Sequence, residues 1–90
     1  MNTTFQFRLF VAGDTQNSSQ AVANLNEICE KHLSSDCEIE IVDVFLEPKR
    51  ALEDGVLMTP MLMKLGPGPS KRIVGTLSKT ETVLQALGVG

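Results

Sequence analysis

Apolar and polar residues alternate along the first segment of the chain. Between Thr4 and Ala12 every second residue from Phe5 to Val11 is apolar, and the last four positions before Gly13 are all apolar. This pattern predicts a β-strand whose C-terminal end is buried on both faces. Gly13 ends the strand, and residues 14–18 form a polar loop rich in residues that favour helix N-caps.

The apolar residues of the next segment fall on one stripe of a helix. They recur at spacings of three, three, one and four residues, which is the periodicity of an amphipathic helix ending near residue 33. The members of the stripe are Val22, Leu25, Ile28, Cys29 and Leu33. We expect residues 34–36 to end this helix in a loop.

A second strand is predicted over Glu38–Phe45, which is rich in β-branched and apolar residues. Glu38 and Glu40 share one face of this strand, and we interpret that face as solvated. Strand, helix and strand follow one another within about 40 residues, which predicts a βαβ unit with parallel strands and a right-handed crossover.

The sequence pattern of the second half of the chain predicts its elements less clearly. A short helix is predicted over Lys49–Asp54, with Pro48 in its first turn and Gly55 at its end. Two strands are predicted at Met61–Leu65 and Arg72–Val74, joined by a tight connection that holds two Gly-Pro pairs.

Ser78 and Glu81 have the spacing of a capping box, which predicts the start of a last helix. Val83, Leu84 and Leu87 would face inward, and Gly88 would stop the helix. The complete order is β-α-β-α-β-β-α, an α/β arrangement that is the order of a thioredoxin-like domain. Ninety residues are enough for one such domain, so we expect a single domain over residues 1–90.

Composition and charge narrow the class of partner. The chain is 42% hydrophobic and 21% charged, which fits a globular protein, and it has no apolar run near the ~20 residues that cross a bilayer. The N-terminus lacks a basic segment followed by an apolar one, so we expect a cytoplasmic protein. Residues 1–45 carry two basic and seven acidic groups, whereas residues 46–90 carry six basic and four acidic groups. A pI near 5 and the lack of Trp and Tyr argue against nucleic acid and favour a charged protein–protein surface.

Catalytic and metal-binding patterns are missing from the sequence. A thioredoxin-type oxidoreductase needs a C-x-x-C motif after the first strand, where the helix N-terminus lowers a thiol pKa. Residues 13–18 contain no sulfur, and Cys29 lies about three turns into the predicted helix. Cys29 and Cys37 fit no compact zinc pattern, and we interpret them as structural thiols. We therefore predict no catalytic residues, no metal and no cofactor.

Thr59-Pro60 stands directly before the third strand, where a thioredoxin-like domain often has a cis proline. An ordinary trans proline at the start of a strand is the alternative. Pro60, with Gly13 and Asn17 in the first loop, forms our set of candidate structural residues.

Several motifs in register over about residues 6–88 resemble the KaiB family, whose founding member belongs to the cyanobacterial circadian oscillator. The residues that carry the resemblance are Leu9-Phe10-Val11-Ala12-Gly13, Thr15, Asn17-Ser18, Ile41-Val42-Asp43-Val44, Pro48, Thr59-Pro60, Lys64-Leu65, Pro67, Pro69, Lys71-Arg72-Ile73-Val74-Gly75 and Leu77-Ser78.

The resemblance implies a non-enzymatic protein that binds the N-terminal ATPase ring of a KaiC-type ATPase and modulates its cycle. KaiA or a histidine kinase are further partners that it implies, as is self-association to a dimer or tetramer. It also implies a second fold, in which residues 46–90 are rebuilt into the ground state typical of KaiB. All four prolines and six of the seven glycines lie in that half, so local propensity constrains it weakly.

The partner-binding positions carried over from the family lie on the second helix and the later strands. They are Lys49, Arg50, Asp54, Lys64, Lys71 and Arg72. Three alternatives stay open at this point: a KaiB-like sensor domain of a clock-linked histidine kinase, a generic thioredoxin-fold adaptor, and a degenerate oxidoreductase that uses Cys29 or Cys37.

Overall fold

Seven elements follow one another in the predicted order in the computed structural model, which describes residues 4–33 and 36–89. The strands are β1 (Phe5–Val11), β2 (Cys37–Asp43), β3 (Met61–Gly66) and β4 (Lys71–Val74). The helices are α1 (Gln16–His32), α2 (Pro48–Glu53) and α3 (Thr80–Ala86). The β-α-β-α-β-β-α prediction is confirmed, and the element bounds differ from the predicted ones by one or two residues at most ends.

The four strands form one sheet in the order β2-β1-β3-β4. β1 pairs in parallel with β2 from Phe5 opposite Cys37 to Val11 opposite Asp43, as the βαβ pattern predicts. β3 is antiparallel to both β1 and β4. This order leaves β2 and β4 at the two edges of the sheet.

The sheet has a separate core on each face, because side chains alternate between the faces along every strand. One face packs against α1 and α3 through residues that include Phe7, Leu9, Leu62, Leu25 and Val83. The other face carries a smaller cluster of Phe10, Val42, Met61 and Met63, against which Val44 and Val56 pack. Leu9, Phe10 and Val11 are all buried, so the prediction that the end of β1 is covered on both faces is confirmed.

Helix α1 begins where the polar loop supplies an N-cap. The Thr15 hydroxyl accepts a hydrogen bond from the Ser18 backbone N–H, and the buried Ser18 Oγ accepts one from the Ala12 backbone N–H at 3.1 Å. Four members of the predicted apolar stripe are buried and Val22 is partly buried. The helix ends at His32 with Leu33 as its C-cap, and two of the three residues predicted to form the following loop lie outside the described residues.

The capping box predicted at Ser78 and Glu81 is wrong. Helix α3 has Lys79 at its N-cap position and no side-chain hydrogen bond there. The Ser78 Oγ instead accepts a hydrogen bond from Thr76 Oγ1 at 3.1 Å. Buried Leu77 has a left-handed backbone (φ 63°), and this turn directs Ser78 back toward Thr76 and away from the first turn of the helix.

The candidate structural residues differ in backbone conformation. The Thr59–Pro60 bond is cis, and so is Gly66–Pro67, for which the sequence offered no expectation. Gly13 has φ +59°, a conformation that residues with a Cβ rarely adopt. Asn17 is an exposed residue in the first turn of α1, so the prediction that it lies in the first loop is wrong; the Thr15 N-cap starts the helix at Gln16. Residues 46–89 have the thioredoxin-like arrangement, one of the two arrangements considered for this half.

Candidate partner-binding surface

Four charged side chains connect α2 to the sheet. Arg50 of α2 donates two hydrogen bonds to the Glu40 carboxylate on β2, at 2.7 and 2.8 Å. Arg8 of β1 donates to the same carboxylate at 2.9 Å and to Asp54, the C-cap of α2, at 3.0 Å. The Glu40 carboxylate is therefore a junction that joins two strands, β1 and β2, to helix α2.

The electrostatics of this junction follow from its hydrogen bonds. Arg50 first, and Arg8 second, hydrogen-bond to the Glu40 carboxylate and lower its pKa from 4.5 to about 2. The same contact raises the pKa of the Arg50 guanidinium above its already high value. Glu40 is therefore ionised at neutral pH. Glu38 and Glu40 are both exposed, as predicted for a solvated strand face, and Glu40 forms ion pairs there in addition.

Arg72 joins the end of α2 from the far edge of the sheet. Its Nη1 donates a hydrogen bond to the Gly55 carbonyl at 3.4 Å, directly after the Asp54 cap. The fold thus gathers three of the six predicted binding residues, Arg50, Asp54 and Arg72, around the turn at residues 54–55. Lys49 is exposed on α2 itself.

Lys64 does not belong to a surface. Its side chain is buried, with 5% of the residue exposed, and its Nζ donates a hydrogen bond to the Leu87 carbonyl at 3.3 Å. The prediction of a partner-binding role for Lys64 is therefore corrected: α3 covers this amine, because Lys64 lies on the sheet face that α3 packs against. Lys71 is exposed but alternates with Arg72 along β4, so it points away from the α2 side.

The sequence analysis missed an exposed apolar surface beside these charges. Leu52, Leu57 and Met58 are 81%, 94% and 63% exposed. The Val56 N–H donates to the Ala51 carbonyl at 2.9 Å, which folds the chain after α2 back against the helix, so the three residues belong to one helix-and-turn segment. We call these three residues the α2 apolar patch. Its signal in the sequence was an apolar run at 56–58 without strand or helix period.

The two thiols lie far from the position of a redox motif. Cys29 is buried and Cys37 partly buried in the core beneath α1. Burial is the main cause that raises the pKa of both thiols, and contact with Cys37 raises that of Cys29 further. Within residues 4–33 and 36–89, moreover, no group of three or more His, Cys, Asp or Glu side chains could hold a metal ion.

Comparison with known proteins places the chain in a family. The KaiB domain model matches residues 8–89. The chain belongs to the KaiB family. The circadian clock protein KaiB3 of Synechocystis sp. is 42% identical over 82 residues, which span 91% of this chain and 80% of that protein. The circadian clock oscillator protein KaiB of Thermostichus vulcanus is 41% identical over 87 residues, covering 97% of this chain and 81% of the relative.

Solved structures agree on the fold of this KaiB-family chain. The N-terminal domain of Synechococcus elongatus SasA superposes with a TM-score of 0.78 at 21% identity, covering 98% of this chain and 87% of that one. Mitochondrial thioredoxin 3 of Saccharomyces cerevisiae gives a TM-score of 0.74 at 17% identity, with 98% and 81% covered. The thioredoxin-like fold is thereby confirmed. No helix among the described residues is long and apolar enough to span a membrane.

Proposed function

We propose that this KaiB-family chain is a non-enzymatic clock or timer protein that binds the N-terminal ATPase ring of a KaiC-type ATPase and modulates its phosphorylation and ATPase cycle. The observation that carries the proposal is the α2 apolar patch. Three large apolar side chains more than 60% exposed within seven residues are costly to leave in water, and such patches mark protein-binding surfaces.

The charges around the patch provide orientation. Lys49 lies one turn before Leu52 on α2, and Arg72 hydrogen-bonds to the Gly55 carbonyl between Leu52 and Leu57. Arg50 and Asp54 are held in ion pairs with Glu40 and Arg8. An apolar centre with a charged rim is the usual anatomy of a protein interface, in which the centre supplies most of the affinity and the rim supplies association rate and register. Arg50 and Asp54 therefore act mainly by holding α2 in place, and Lys49 and Arg72 by contacting the partner.

The test is binding of a purified, full-length KaiC-type ATPase to the whole chain and its variants. The double variant Leu52→Ser/Leu57→Ser removes two exposed apolar side chains, and we expect its affinity to fall by at least about tenfold with little change in thermal stability. Leu65→Ser is the matched control, because Leu65 is also exposed but lies at the outer end of β3. Equal loss in the control, or unchanged binding by the double variant, would contradict the proposal.

The rim is tested separately with Lys49→Glu/Arg72→Glu. We expect this variant to associate more slowly than wild type at low salt. The difference in association rate should shrink as salt is added, because the rim charges are exposed and salt screens them. The ATPase and phosphorylation rates of the KaiC-type protein, measured with and without the chain, show whether binding modulates the cycle.

A further inference from the structure

An open cleft lies at the carboxyl ends of the two parallel strands, on the sheet face that carries α1. Its volume is about 460 Å³, within the range of roughly 300–1,000 Å³ for sites that accept ligands or inserted side chains. The floor is apolar and consists of Val11 of β1, Val22 of α1 and Ile41 of β2. Ile41 is 49% exposed, so this floor meets solvent directly.

The walls of the cleft carry carboxylates. Asp14 follows the first strand, Asp43 ends the second, and Glu47 lies just before α2. Among the described residues, no Lys or Arg lines the cleft, and neither Asp14 nor Asp43 forms an ion pair. Glu47 contacts Arg50 only at 3.6 Å. The cleft therefore combines exposed apolar surface with negative charge that the protein itself leaves largely unneutralised.

The oxygens of Asp43 show how the cleft is built. Oδ1 accepts hydrogen bonds from the Gly13 and Phe45 backbone N–H groups, at 3.3 and 2.9 Å, and so fixes the two loops that form the walls. The cleft is thus a consequence of two loops fastened to each other, with Leu46, 79% exposed, standing at its rim.

We propose that this cleft is a docking site for a protein segment in which a basic side chain is flanked by aliphatic ones. The aliphatic residues cover Ile41 and Leu46, and the cation lies between the carboxylates of Asp14, Asp43 and Glu47. Charge complementarity selects this occupant, because the same carboxylates repel an acidic segment, a phosphate or a nucleic acid.

The cleft is a different surface from the α2 apolar patch. Val11 and Ile41 point to the α1 face of the sheet, whereas the core beneath α2 is formed by Phe10 and Val42 on the opposite face. The inference therefore goes beyond the proposed binding of a KaiC-type ATPase, and either can fail without the other.

The experiment uses two short peptides as probes of the whole, isotope-labelled chain. Ac-Ala-Leu-Arg-Leu-Ala-NH₂ is titrated while backbone amide resonances are followed, and Ac-Ala-Leu-Glu-Leu-Ala-NH₂ serves as the matched probe of opposite charge. We expect the arginine peptide to shift the amides of Gly13, Asp14, Ser18 and Ser19, and the glutamate peptide to leave them in place.

Variants test the role of the carboxylates. Asp14→Asn/Glu47→Gln removes two charges from the cleft at nearly constant size, and we expect binding of the arginine peptide to weaken by about fivefold. Glu30→Gln/Glu81→Gln removes two exposed charges elsewhere and should bind as wild type. Asp43 is kept, because it holds the two loops.

Three results would overturn the proposal. They are equal binding of the two peptides, amide shifts that centre outside the cleft, and unchanged affinity in Asp14→Asn/Glu47→Gln. An unchanged affinity of that variant for the KaiC-type ATPase, beside a weakened peptide interaction, would support two independent surfaces.

Discussion

Arg50 hydrogen-bonds to both carboxylate oxygens of Glu40 and so joins the short second helix to the edge strand β2, ten residues away in sequence. A planar guanidinium matches a carboxylate in this two-point geometry, so the pair defines an orientation as well as a distance. Helix α2 is only six residues long and has no buried residue of its own. Its position, and with it the α2 apolar patch, therefore depends on the charges that fasten it to the sheet.

The first prediction concerns how the free energy of unfolding changes at acidic pH. The pKa of Glu40 is lowered from 4.5 to about 2, so the folded state holds this carboxylate ionised while the unfolded chain protonates it. Its contribution is complete above about pH 5 and is lost as the pH falls toward 2. We expect Glu40→Gln to be less stable than wild type at pH 7, with the difference vanishing near pH 2.

Chemical denaturation at a series of pH values measures this difference. Glu38→Gln is the control, since Glu38 lies on the same strand face and forms no ion pair within the described residues. If the free energy of unfolding fell with decreasing pH in the same way in Glu40→Gln and wild type, the assigned role of the Glu40 ion pairs would be contradicted.

The second prediction concerns the buried amine of Lys64. It donates a hydrogen bond to the Leu87 carbonyl at the C-terminal end of α3, where the helix dipole favours a positive charge. We expect Lys64→Met to lower the free energy of unfolding by about 1–2 kcal/mol, because the carbonyl loses its partner. Lys71→Met, at an exposed position, should change it by less than about 0.5 kcal/mol. Urea denaturation distinguishes the two, and equal effects would show that Lys64 has no capping role.

The third prediction concerns the turn after β1. Gly13 has φ +59°, and an added Cβ would lie 3.5 Å from Phe45 Cδ2, which is ordinary contact distance. The cost of Gly13→Ala is therefore conformational and should be about 1 kcal/mol. Gly13→Asn should cost less, because Asn adopts the left-handed conformation more readily. Thermal denaturation that ranked Asn below Ala would argue against a left-handed residue here.

The fourth prediction concerns the thiols. Burial raises the pKa of Cys29 and Cys37, so little thiolate exists near pH 8. We expect both to react with a disulfide reagent much more slowly in the native protein than in urea. We also expect no reduction of insulin above the rate of the buffer, and appreciable turnover would favour the oxidoreductase alternative.

Local pattern was sufficient for the first half of the fold. The alternation from Phe5 to Val11 and the stripe from Val22 to Leu33 each arise within one element, so neighbouring residues carry the signal. Short-range rules failed at Ser78, where the left-handed backbone of buried Leu77 directs the hydroxyl away from α3.

The candidate sites depended on residues far apart in the chain. Arg8 and Glu40 are 32 positions apart, and only the parallel register of β1 and β2 places them opposite each other. Lys64 has the charge of a surface residue, yet the packing of α3 buries it. The cleft beside Asp14, Asp43 and Glu47 likewise combines residues 11–22 with residues 41–47, whereas the α2 apolar patch lies within seven residues and depends on their exposure in the fold.

By itself, the sequence determined the order of the elements, the absence of a C-x-x-C motif after β1 and the resemblance to the KaiB family, because each resides in contiguous residues. Only the tertiary structure decided which charges face solvent, which are paired and which apolar side chains remain exposed. Burial and pairing are properties of the whole packed chain, and no local window of sequence contains them.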